Sequence, residues 1–416
     1  MKRLVFVLLI GLLTMNVMGQ DDGTAAVNPE LVAGNTDFAF DLYQALPKSD
    51  EGNLLVSPYS ISQAFAMAYA GAEGDTETEM AEVMGFDLPE DAFHPAFGDL
   101  NTDLTEREYD EFLTENSDAS TFQLNIANAV WGQQGYPFAA EYVGVIDDFY
   151  GGGFREVDFT ADPDAAREAV NAWVAEQTED RIENILPSGS VDAATRMVLA
   201  NAIYFNASWM VPFIEAATQD APFTLLDGEQ VTVPLMTQQE NVLYAEGENY
   251  QAAQLPYFGG DMGMIVILPQ EGAFNEVDAA LNAELFAEIR EGLSQSGPVN
   301  VFLPRFEYEF DLQLGSVMRE LGMGQAFDPD AADFTGMLSE ETGENLYIGE
   351  AIHKAFIKVD EEGTEAAAAT ALTIRATSAM PDEPVEFRVD RPFMFAIVDN
   401  VTDSVLFVGR VVNPVE

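Results

Sequence analysis

From Val231 to Val412 the chain contains a succession of strand-length apolar runs: VTVPLM, GMIVILP, VNVFLPRFEYEF, AIHKAFIKV, VEFRV, FMFAIV and VLFVGRVV. They are rich in β-branched and aromatic residues, the composition of strands. The last two are joined by DNVTDS, a linker that suits a hairpin between antiparallel neighbours. A parallel sheet would need a crossover helix between successive strands, and no such alternation is found. This pattern selects an α+β fold built mainly on antiparallel sheets.

Helical patterns occupy the other half. In NTDFAFDLYQAL, Phe38, Leu42 and Leu46 recur at helical spacing, and Asn35 or Thr36 can cap the segment. Ser57-Pro58 reads as a cap followed by a first-turn proline, with Gly71 as the stop. Thr76 and Glu79 form a capping-box pattern that opens another helix. Phe93 to Ser120 reads as helix and acidic loop, Val170 to Leu186 as an amphipathic helix, and Met197 to Phe205 as a buried strand. No repeat, low-complexity linker or composition break divides the chain, so one domain is expected.

The first 19 residues, MKRLVFVLLIGLLTMNVMG, read as a secretory signal peptide. Lys2 and Arg3 precede an apolar run, Leu4 to Leu13, that is too short to span a bilayer. Residues 20–34 then form a polar tail and 35–416 the folded domain. The expected location is secreted and extracellular, or periplasmic. The chain has no cysteine, which removes thiol chemistry and thiolate metal sites. A core drawn from 48% hydrophobic residues does not need disulfides.

Acidic residues number 72 against 17 basic, a formal charge of −55 that becomes −57 once Lys2 and Arg3 are cleaved away. Such a surface repels nucleic acid and anionic membranes. Enzyme signatures are missing. With only His94 and His353 there is no HExxH zinc motif, and neither a G-x-S-x-G elbow nor a phosphate-cradling P-loop occurs. Asp328, Asp330 and Asp333 lack the spacing and glycine of a calcium loop and read as a solvated loop. No cofactor or metal is expected.

One stretch, VDEEGTEAAAATALTIRATSAMP from Val359 to Pro381, fits neither half. Four alanines, Ala366 to Ala369, favour helix, yet they directly follow the strand-like AIHKAFIKVD. With a period of two, Thr364, Ala366, Ala368, Thr370, Leu372 and Ile374 share one small or apolar face, while Glu365 and Arg375 fall on the other. The segment can therefore serve as a loop or as a strand that buries one face. On pattern alone, an alanine-rich helix or a flexible linker is an equal reading.

VDEEGTEAAAAT resembles the hinge of the serpin family, and VSPYSI, NAIYFNASW, LPRFEYEFDL, IHKAFIKVDEEGTEAAAA and DRPFMFAI extend the resemblance over nearly the whole mature chain. The resemblance implies a secreted inhibitor of serine proteases, with cysteine proteases as a further target class. Its exposed reactive loop, about residues 362–381, would be cleaved and inserted into a β-sheet, trapping the enzyme as an acyl-enzyme. It implies hinge roles for Glu361, Gly363, Thr364, Glu365, Ala366, Ala367, Ala368, Ala369 and Thr370, with Thr364 the first loop side chain to enter the sheet. Ser57, Ser60, Asn201 and His353 match the polar cluster under the opening sheet, and Trp209 the tryptophan at its top. Arg305 and Glu361 match a pair at the loop's base, expected to be exposed and so to contribute about 0–1 kcal/mol.

The family spacing places the reactive bond at Thr377-Ser378, with Arg375 and Ala376 as alternative registers. A small residue there implies elastase- or subtilisin-like targets, and Arg375 a trypsin-like one. The acidic composition offers no basic helix for heparin, and a monomer is expected. The alternative is a non-inhibitory serpin-fold protein that binds, carries or chaperones. Such relatives tend to have bulky, charged or proline residues at the hinge, whereas Thr364 to Thr370 carries only Glu365.

The charge gives a first prediction. The thermal midpoint should rise with NaCl, mostly where the Debye length falls from about 10 Å to about 3 Å. A flat or falling trend in calorimetry would show that self-repulsion does not limit stability.

Overall fold

The computed structural model describes residues 27–49, 52–107, 123–295, 297–339, 346–364 and 384–415. Its scaffold is three sheets. A seven-stranded sheet runs in the order Leu54–Val56, Val405–Val411, Phe393–Asp399, Met262–Pro269, Tyr250–Pro256, Leu243–Glu246, Ser294–Gln295. A four-stranded sheet joins Val385–Arg388, Val299–Pro304, Gln230–Glu240 and Gln219–Thr224. A six-stranded sheet contains Phe306–Gln313, Glu350–Val359, Gly363–Thr364, Met197–Ser208, Gln123–Gln133 and Phe154–Val157. Most pairings are antiparallel, and the expected hairpin forms between Phe393–Asp399 and Val405–Val411.

The expected run VNVFLPRFEYEF is two strands in two different sheets. Pro304 ends a strand of the four-stranded sheet and Phe306 begins one of the six-stranded sheet. Arg305 is the corner, its N–H donating to the Pro234 carbonyl at 3.0 Å.

Helices fill the space behind the six-stranded sheet. In Pro58–Tyr69 every residue from Pro58 to Ala68 is buried, so this helix lies inside the core. Ser57 caps it as expected, its Oγ accepting from Ser60 N–H at 3.3 Å and donating to the Leu406 carbonyl at 2.7 Å. The opposite face of the sheet carries a second core, in which Val170 and Val174 of the Pro163–Gln177 helix and the following Ile182, Ile185 and Leu186 cover Ala127, Ala200 and Ile352.

Several boundaries differ from the sequence reading. The first helix spans Pro29–Ala45 and is capped by Asn28, so the tail assigned to 20–34 is partly helical. Gly34, which looked like the end of that tail, sits where the helix passes over Gly85: a Cβ there would lie 2.3 Å from the Gly85 carbonyl oxygen. The helix expected from Thr76 starts at Gly74. Thr76 instead accepts from Asp333 N–H at 2.9 Å and Glu79 from Gln325 N–H at 2.8 Å, so tertiary partners have taken the capping groups. The helix expected over Val170 to Leu186 is Pro163–Gln177, because Asp162 and Pro163 form an earlier start. Gln123–Gln133 is a strand that sequence reading missed, and helices Phe274–Ala280 and Ala283–Gly292 interrupt the strand-rich half.

Candidate functional site

The six-stranded sheet is closed over part of its length and wedged apart at one end. Glu350–Val359 and Met197–Ser208 lie side by side in parallel from Glu350 opposite Val198 to Ala355 opposite Ile203. Beyond that seam they separate. Gly363 and Thr364 then sit between them, Thr364 opposite Val359 on one side and Ala207 on the other, Gly363 opposite Ser208. Between seam and wedge, Phe356 to Lys358 face Tyr204 to Asn206 with no strand pairing across the gap among the described residues.

The wedge is fastened by backbone and side chain together. Asp360 N–H donates to the Gly363 carbonyl at 3.0 Å, closing a tight turn. That turn is tied down by Trp209 N–H to the Glu362 carbonyl and Phe213 N–H to the Glu361 carbonyl, both at 2.8 Å. The Trp209 indole N–H adds a bond to the Asp360 carbonyl at 3.0 Å. Only glycine fits at 363, since a Cβ would stand 2.1 Å from the Ala207 carbonyl oxygen. Thr364 is buried, its hydroxyl 2.7 Å from the Tyr257 hydroxyl. Tyr257 in turn stacks on Trp209, with ring centroids 4.7 Å apart and planes within 5°. Thr364 is therefore already in the sheet rather than waiting to enter it. Glu365, Ala366 to Ala369, Thr370, Arg375, Ala376, Thr377 and Ser378 lie outside the described residues.

Arg305 and Glu361 do meet, at 2.5 Å, but the pair is not the exposed one expected. The Glu361 side chain is 7% exposed and that of Arg305 39%. Burial alone would raise the Glu361 carboxyl; hydrogen bonds from Arg305 and Thr218 outweigh it and hold the group below the usual carboxylate range. The corner between two sheets thus supplies the cation that neutralises the hinge.

Behind the seam, Ser57, Ser60, Asn201 and His353 come together as expected, all fully buried. His353 stands directly opposite Asn201. Its Nε2 accepts from Ser57 N–H at 3.2 Å, so the proton resides on Nδ1 and is donated to Asn201 Oδ1. Asn201 Nδ2 donates to Ser60 Oγ at 2.7 Å and to Asn128 Oδ1 at 2.5 Å. Asn128, missed by sequence reading, also donates to the Ser60 carbonyl at 2.9 Å and to Gln63 Oε1 at 2.8 Å, and Gln63 reaches Asn101 at 3.0 Å. An asparagine at the centre of FQLNIANAVW was the available signal, because a polar side chain inside a buried strand needs partners. Burial pulls His353 down to about 3, and His94, bonded to the Tyr150 hydroxyl at 2.8 Å, down to about 4.

The three-sheet fold that carries this wedge is matched by the family comparison. The family model Serpin (serine protease inhibitor) covers residues 33–414. The chain is a serpin. It is 39% identical to an uncharacterized serpin-like protein of Thermococcus kodakarensis, over 91% of this chain and 84% of that one. It is 38% identical to the leukocyte elastase inhibitor of Sus scrofa, over 92% of this serpin and the whole of the relative. The thermophilic serpin tengpin, solved in its native state, superposes with a TM-score of 0.81 at 29% identity, covering 94% and 95% of the two chains.

In this serpin His353→Ala strands the Ser57 N–H and the Asn201 carbonyl oxygen, at a cost of about 1–3 kcal/mol. Spontaneous loop insertion or polymerisation on mild heating should accelerate. The histidine also has a pH signature. Its folded value lies below the unfolded value of about 6.5, so the unfolded chain takes up a proton that the folded one refuses, and stability is lost as pH falls from about 6.5 towards 3. Between pH 7.5 and 5 the wild-type midpoint should therefore drop further than that of His353→Ala. Parallel pH curves would show that His353 stays outside this linkage.

Proposed function

We propose that this serpin is an exported inhibitor that traps serine proteases covalently by inserting its cleaved loop into the six-stranded sheet. The observation that carries the proposal is the register of the wedge. Continued beyond Thr364, it would set Glu365 between Lys358 and Asn206, Ala366 between Ile357 and Phe205, and Ala367 between Phe356 and Tyr204. In an inserted strand these three residues would fill the gap without breaking any strand pair. Ala368 would be the first to part Ala355 from Ile203, and Thr370 would reach His353 and Asn201. The inward positions Ala366, Ala368 and Thr370 are small, as passage into a packed sheet requires.

The chemistry belongs to the protease. Its serine oxygen adds to the Thr377 carbonyl, the peptide bond to Ser378 breaks, and the amine of Ser378 departs with the proton relayed by the enzyme. The resulting ester joins the protease to the loop. Insertion must then outrun attack of water on that ester. New backbone pairing along the facing edges and burial of the small face drive it. A small residue at the cut, together with 38% identity to a leukocyte elastase inhibitor, supports elastase-like targets, with subtilisin-like enzymes as the related class.

Ala368→Arg should leave cleavage intact and block insertion, because its guanidinium would enter the core unpaired at a cost of several kcal/mol. Glu365→Arg, between the half-exposed Lys358 and Asn206 in the continued register, is the control. With pancreatic elastase, the stoichiometry of inhibition should rise about tenfold or more for Ala368→Arg and stay near wild type for Glu365→Arg, as several kcal/mol on the insertion barrier slows it well over tenfold. Trapping by Ala368→Arg at wild-type stoichiometry would sink the mechanism.

The fragment released from the complex should begin at Ser378. A start at Ala376 would move recognition to Arg375 and to trypsin-like proteases.

A further inference from the structure

Away from the wedge, one concavity of about 480 Å³ is walled by three segments already fastened to one another. They are the turn from Thr224 to Gly228, the loop from Pro269 to Asn275, and Asp390 to Pro392. Thr224 N–H donates to the Asp390 carbonyl, and Arg391 Nε to the Pro269 carbonyl, both at 2.9 Å. The volume falls within the roughly 300–1,000 Å³ of small-molecule sites. Cross-tied walls make such a pocket largely preformed.

Its lining combines an apolar wall with separated charges of both signs. Leu225, Leu226 and Phe274 supply the wall, and Phe274 is only 5% exposed. Arg391 spends Nε on Pro269 and Nη1 on Asp390 Oδ1 at 2.9 Å. Its Nη2, the second oxygen of Asp390 and the carboxylate of Glu271 have no hydrogen-bond or ion-pair partner among the described residues. A simple anion would face two carboxylates for one guanidinium. A plain hydrocarbon would cover charged groups without satisfying them, which is unfavourable.

We infer that this pocket binds a small zwitterion with an apolar body, the chemistry of a free dipeptide. The carboxylate meets Arg391 Nη2, the ammonium meets Asp390 and Glu271, and the apolar side chains lie against Leu225, Leu226 and Phe274. The bound molecule bridges the Thr224 turn to the link that follows strand Val385–Arg388, and so holds the edge of the four-stranded sheet in place. This inference stands apart from protease inhibition, because binding is read on the serpin alone.

The test is titration calorimetry and thermal shift with the dipeptide Leu-Phe and with its N-acetylated, C-amidated form. Leu-Phe should bind saturably and raise the thermal midpoint, while the capped form should bind at least about tenfold more weakly, because it cannot form the charge-assisted bonds. Arg391→Gln should weaken Leu-Phe by a similar factor. Leu226→Glu, at a half-buried wall position whose side chain takes no part in the hydrogen-bonded ties, should weaken both forms. No saturable binding of Leu-Phe, equal binding of the capped form, or wild-type affinity in both variants would each overturn the inference.

Discussion

The pairing of Glu350–Ala355 with Val198–Ile203 is the interaction on which the rest of the structure depends. A parallel pair is slightly weaker per residue than an antiparallel one, and this one is flanked by a gap rather than by further ladder. An entering strand would run antiparallel to both neighbours, as Gly363 and Thr364 already do. Each step of entry therefore exchanges one parallel pairing for two antiparallel ones. The buried cluster behind the seam would oppose such an exchange, because separating His353 from Asn201 interrupts a chain of bonds that reaches Asn101. A fully satisfied buried network resists partial opening, because half-broken states leave polar groups unpaired.

Much of this was legible in the residues. Strand-length apolar runs such as AIHKAFIKV and GMIVILP formed strands where their composition placed them, because β-branched and apolar residues buried on both faces suit the inside of a sheet. The capping of Pro58–Tyr69 by Ser57 was local chemistry and equally readable. What stayed hidden depended on partners distant in sequence. Thr76 looked like a cap but serves Asp333, and VNVFLPRFEYEF looked continuous but changes sheet at Arg305. The four residues of the polar cluster came from a family resemblance, while Asn128 and Gln63 needed the fold to bring Gln123–Gln133 beside Met197–Ser208. The depth of Thr364 could not have been read from its neighbours, since it rests on Tyr257, more than a hundred residues away.

Cations are few, and those of the described residues are largely taken up in ion pairs. Lys48 pairs with Asp278, Lys354 with Asp311 and Lys358 with Asp360. Arg410 is buried against the same Asp278, and Arg107 joins Asp103 to the fully buried Asp399. Positive charge therefore holds elements together, while the excess of acids is left for the surface. An approaching protease with a basic face is drawn in over roughly a Debye length, and an acidic one is held off unless salt screens the repulsion.

Gly363 does more than allow the backbone of the wedge to approach Ala207. It acts as a frame marker. Moving the segment by one residue in the direction of entry would bring Glu362 to the Gly363 position and set its Cβ against that carbonyl, so the segment can lengthen but cannot slip. Because side chains alternate between faces, the frame decides which of them ever see the core: a one-residue error would turn Glu365 inward and Ala366 outward along the whole strand. One missing methyl group at the mouth of the sheet thus proofreads every residue that could follow it.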